Sequence, residues 1–141
     1  GTTWEIPLPF RVPTERAAQA LLAYLQEYYK GAGYERKYYK LTSEPNLDIA
    51  GKKLMFRVWL YPYDTATEQE VTLYFTRDKG GEWRAGIILR MLSGMLSVWR
   101  GASQYSFLDD LRKQLLLWSS LPPEERAKYF RIVDRILSQK K

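Results

Sequence analysis

"EVTLYFTRDKGGEWRAGIILRML", residues 70–92, holds two apolar–polar alternations on either side of a glycine pair. Alternation with a period of two marks a strand with one buried face, because successive side chains point to opposite sides of a sheet. Gly80 and Gly81 supply a tight turn, so the two halves read as a hairpin, Glu70–Arg77 followed by "EWRAGIILRML". Upstream, "KLMFRVWLY" (Lys53–Tyr61) repeats the pattern until Pro62, which cannot donate to a ladder, ends it. "YERKYYKL" (Tyr34–Leu41) reads as a further strand, with a turn around "SEPNLDIAGK" between the two.

Helices flank this run of strands. Thr14 is a suitable N-cap, and Ala17, Leu21, Tyr24, Leu25 and Tyr28 recur at helical spacing as one apolar stripe, until Gly31 stops the helix. Before it, "WEIPLPFRVP" (Trp4–Pro13) contains three prolines and is expected to be an extended arm or at most an edge strand. After the strands, Met91–Gly101 fits either a strand continuation or a short helix. Ser106 with Asp109 resembles a capping box, placing Asp109 and Asp110 in a first turn, and Leu108, Leu111, Leu115 and Trp118 follow as a stripe. "SSLPPEER" opens a last helix whose buried side is marked by Phe130, Val133 and Leu137. The expectation is one α+β domain: arm 1–13, amphipathic helix 14–31, four-stranded antiparallel sheet within 34–90, and two C-terminal helices within 106–138. An amphipathic helix on a curved antiparallel sheet resembles the architecture of cystatin-like and related α+β folds, a likeness that implies no activity.

Composition removes several chemistries. The chain has no Cys and no His, which excludes disulfides, thiolate nucleophiles, zinc–thiolate sites and any Ser-His or Cys-His pair. No Walker-type loop or G-x-S-x-G elbow occurs, and the glycines of "GAGYER" follow a helix rather than precede one. No catalytic residue, metal ligand set or cofactor is therefore assigned. Net charge is +6, with six basic against six acidic residues in 1–50 and eight against five in both 51–100 and 101–141. That dispersed excess favours anionic partners without forming a nucleic-acid stripe. The longest apolar stretch, "AGIILRMLSGMLSVW", is interrupted by Arg90, Ser93 and Gly94 and is too short to span a bilayer. No secretion signal follows Gly1, and a leader removed upstream is compatible with this start, so the chain is expected to be soluble, cytoplasmic or exported. The start "SLPPEER" looks like helix starts of many bacterial proteins.

The functional expectation comes from the two faces of the strands. Leu54, Phe56, Val58 and Leu60, Val71, Leu73 and Phe75, and Trp83, Ala85, Ile87 and Leu89 form an aliphatic face for the first helix to cover. Met55, Arg57, Trp59, Tyr61, Thr72, Tyr74, Thr76, Arg84, Gly86, Ile88 and Arg90 fall on the other, a mixture suited to planar and polar ligands. Arg57, Trp59, Tyr61, Tyr74 and Arg84 are the candidate ligand-binding residues, joined by Tyr38 from the repeated Tyr-Tyr-Lys of "QEYYKGAGYERKYYKL". The competing reading lays the C-terminal helices across this face and buries it, since their leucine stripes need cover. The two combine if the helices leave a cleft at one edge. The reading adopted is a non-catalytic binding or assembly module for a protein partner or a polar or anionic small ligand. The alternative is a single-stranded nucleic-acid binder that stacks bases on Tyr and Trp. A hydrolase using Asp64, Glu68 and Glu70 is the third and least supported.

Overall fold

A computed structural model describes residues 3–31, 39–51, 53–62, 68–91 and 102–139. The elements run β1 (Thr3–Val12), α1 (Glu15–Gly31), β2 (Tyr39–Leu41), β3 (Asn46–Asp48), β4 (Leu54–Pro62), β5 (Gln69–Arg77), β6 (Trp83–Met91), α2 (Ala102–Ser120) and α3 (Pro123–Gln139). The fold is α+β: a six-stranded antiparallel sheet of order β1-β6-β5-β4-β2, with β3 also on β4.

Two strands beyond the expected four come from the ends of the sheet. The proline-bearing arm is a full ten-residue edge strand, β1, whose register against β6 shifts between Pro7 and Arg11. A shift there lets the chain carry two residues without an N–H donor and still resume pairing. On the opposite edge the expected turn contains the three-residue strand β3. The hairpin between β5 and β6 is built as the sequence requires. Gly81 adopts a positive φ of 85°, while the Asp78 carboxylate accepts from the N–H groups of Gly80 (2.9 Å) and Glu82 (3.0 Å).

Thr14 caps α1, its Oγ1 accepting from the Ala17 N–H at 3.0 Å. The single stripe expected on this helix is an underestimate, because every residue from Ala18 to Leu25 is buried. Such a helix is covered on all sides. One side lies on the sheet, where Tyr29 stacks on Phe56 of β4. The other meets α2 and α3: Tyr24 lies against Trp118 and edge-on to Tyr129, and Arg16 pairs with Asp134. α2 also reaches the sheet, enclosing a small apolar gap with Leu8 and Ile87 through Leu108, Leu111 and Leu115. All three helices therefore lie on the aliphatic side. The leucine stripes find their cover on α1 and beside it, and among the described residues no helix crosses the amphipathic face.

Three local expectations are corrected. α2 begins at Ala102, so Ser106 lies within it and is no cap, and no acidic residue occupies its first turn. Tyr29 rather than Tyr28 is the fully buried tyrosine of the pair. Gly31 ends α1 without a positive φ. The Met91–Gly101 question is settled only at Met91, which ends β6; the remainder, like Tyr38 and Asp64, falls outside the described residues. No helix among the described residues is long and apolar enough to cross a membrane.

Candidate functional site

The strand registers assemble the open face in cross-strand rows. Thr3, Arg90, Glu70 and Trp59 form one row. Glu5, Ile88, Thr72, Arg57 and Asn46 form the next. Pro7, Gly86, Tyr74, Met55 and Asp48 form the third, and Arg11, Arg84 and Thr76 the fourth. Paired residues share a face, so each row is a line of neighbouring side chains about 5 Å apart.

Glu70 organises the first row. Its carboxylate accepts from Trp59 Nε1 at 3.1 Å and from an Arg90 guanidinium nitrogen at 3.3 Å. Trp59 is thereby pinned with its ring partly exposed, and the Arg57 guanidinium lies 5.9 Å from the ring centre. Arg57 is half-buried and poorly satisfied. One terminal nitrogen reaches only the Met55 sulfur at 3.2 Å, and Nε is buried with no hydrogen-bond partner. A thioether is a weak acceptor, so this guanidinium holds unused donor capacity under the open surface.

Tyr74 sits in the third row for a different reason. Its ring lies directly over Gly86: a Cβ on that glycine would fall 2.4 Å from the Tyr74 Cζ and Oη. Gly86 is thus the residue that lets an aromatic ring lie down on the sheet. The hydroxyl donates to the Glu5 carboxylate of β1. Burial first, then this hydrogen bond and the Glu5 charge, push the phenol up to about 12, with Arg84 opposing. Around the ring opens a groove of about 420 Å³, floored by Met55 and Ile88 and walled by Glu5, Lys53, Thr76 and Arg77.

Of the expected binding residues, Arg57 and Trp59 are in contact, and Tyr74 lies on the groove. Arg84 stands exposed one row from Tyr74. Tyr61 is displaced toward β2, its ring facing the Lys40 ammonium at 5.9 Å. Tyr38 is outside the described residues, while Tyr39 faces the core against Phe107. Sequence reading missed Glu5 and Lys53 on this face, placed Met55 there without making it a candidate, and weighed Glu70 only for hydrolysis. Met55 and Glu70 were legible from strand parity, whereas Glu5 required knowing that the arm pairs with β6.

Of the carboxylates considered for hydrolysis, Asp64 lies outside the described residues and the other two are engaged by neighbouring side chains. Glu68 accepts from the Thr42 hydroxyl at 2.6 Å, and Glu70 is held by Trp59 and Arg90. Among the described residues no group of three His, Cys, Asp or Glu side chains is placed to hold a metal ion. Compared with protein-family models, curated proteins and solved structures, the chain matches none.

Proposed function

We propose that this chain is a non-catalytic binding or assembly module, and that the face of its sheet opposite the described helices receives a protein partner or a polar or anionic small ligand. The observation that carries this reading is Arg57. A guanidinium held beside Trp59, with Nε buried and unpartnered, sits on a face that no helix among the described residues covers. Nε itself is out of reach of a ligand, but the terminal nitrogens of this half-exposed side chain, one of which meets only the weakly accepting Met55 sulfur, are donors that an acceptor supplied from outside would engage. The non-catalytic assignment draws on the lack of His and Cys and on the engagement of Glu68 and Glu70 with neighbouring side chains.

The test compares surfaces. Immobilised wild-type protein, Arg57→Ala with Trp59→Ala, and the control Arg131→Gln on α3 are each exposed to a bacterial lysate, and the retained species are identified. A species held by wild type and by Arg131→Gln but lost from the double variant is the expected result. Identical retention by all three would remove the open face as the binding surface.

A further inference from the structure

We infer that the open face recognises an extended acidic peptide segment carrying an apolar residue, a conclusion that rests on the binding role proposed above and specifies its partner. Charge is the first argument. Lys53, Arg57, Arg77 and Arg84 make no ion pair among the described residues, in contrast with Arg11 and Arg90, which are bound to Asp78 and Glu70. Against these four free cations the groove lining offers Glu5, already bonded to Tyr74, while Asp48 at the β3 edge, Glu68, which accepts from Thr42, and Glu82 at the hairpin stand farther out. The surplus is positive and is concentrated around one groove.

Spacing is the second argument. Arg57 and Arg84 are separated by two strands and by four residues along β6, a diagonal of roughly 17 Å at ordinary sheet spacings. One carboxylate cannot serve both positions, whereas an extended peptide covers that distance with about five residues. Between the cations lies the apolar floor of Met55 and Ile88 beside the Tyr74 ring, a seat for one apolar side chain. The partner therefore alternates acidic groups with an apolar anchor.

The same surface disfavours a nucleic-acid strand. Base stacking needs free ring faces, yet Arg57 stands over Trp59, Lys40 over Tyr61, and Tyr74 lies down on Gly86. Glu5, Asp48 and Glu70 also share this face, and a continuous phosphodiester chain cannot step around them as discrete acidic side chains can.

The probe is a phage-displayed library of random twelve-residue peptides, selected on the full chain and screened against Arg57→Gln with Arg84→Gln, against Ile88→Glu, and against a twelve-nucleotide oligothymidine. The arginines are partly or fully exposed, so their glutamine variants keep the fold even if Ile88→Glu does not. The expected pool is enriched in Asp and Glu around one apolar residue. It should bind the double variant at least about tenfold more weakly, as two rim charge contacts imply, and weaken as salt rises. A pool that depends on these side chains but lacks acidic enrichment would overturn the acidic partner and leave the binding face standing. A pool indifferent to every variant would overturn both. Oligothymidine binding tighter than any peptide, and lost in the double variant, would replace the peptide with a nucleic acid.

Discussion

The two faces of the sheet are cut from the same strands, yet different physics governs each. On the covered face, Phe56, Leu73, Phe75 and Leu89 are packed dry under α1 and α2. On the open face, their immediate neighbours Arg57, Tyr74 and Arg90 are held by hydrogen bonds or ring contacts, and Thr76 is exposed. A tyrosine shows the difference. Tyr29, on the covered side, is wholly inaccessible and donates its hydroxyl at 2.9 Å to Asp110 of α2, so its polar end is satisfied inside the protein. Tyr74, on the open side, spends one ring face on Gly86 and keeps an edge in the groove. Burial on one face is compulsory, whereas on the other it is arranged residue by residue.

Stability should register this asymmetry most strongly at the centre of β5. Leu73→Ala is expected to cost about 2–5 kcal/mol, and Thr76→Ala three residues on only about 0.5 kcal/mol or less, read as shifts in the urea midpoint. Equal losses would dissolve the distinction between the faces.

An intermediate effect is expected where the open face is most tightly built. Gly86→Ala drives a methyl into the Tyr74 ring and must displace it from Glu5, at a cost of about 1–3 kcal/mol. Because the displaced atoms belong to the far end of one side chain, Tyr74→Ala should absorb most of that loss in a double-mutant cycle. Additive losses would mean that the strand backbone, rather than the ring, resists the methyl group.

The smallest effect is alkaline. Both tyrosines hold their protons more firmly in the folded chain than at the ordinary value of 10, Tyr29 chiefly through burial and Tyr74 up to about 12. A phenol with a raised folded value binds more protons in the native state than in the unfolded one. Its stability contribution is therefore complete below pH 10 and is lost as pH climbs towards 12. Unfolding midpoints measured across that interval should fall, and Tyr74→Phe should flatten part of the decline.

How much of this was written in the chain depends on the range of the interaction. The strands β4, β5 and β6 are legible because alternation is local and survives any tertiary arrangement. The placement of α2 and α3 is a matter of partners, and the clue lay in "RAAQALLAYL", where small and apolar residues surround the helix instead of forming one stripe. Read that way, α1 needs cover on its far side, and the leucines of α2 and α3 have somewhere to go other than the second sheet face. The membership of the open face was legible from parity at Arg57, Trp59, Tyr74 and Arg84. Its detailed construction was not, since the Glu5 bond to Tyr74 depends on β1 pairing with β6 across the seventy residues, 13–82, that separate the two strands.

The edges of the sheet carry a consequence of their own. β1 carries Pro7 and Pro9 within its length and breaks register there, and the opposite margin is divided between the short strands β2 and β3. Among the described residues neither margin presents a long, regular row of unpaired amides, the template on which sheets propagate from molecule to molecule. A chain this rich in β-branched and aromatic strand residues is thereby shielded from growing into cross-β stacks. It can be crowded, or displayed in an array with its side chains exposed, without zipping to its neighbours.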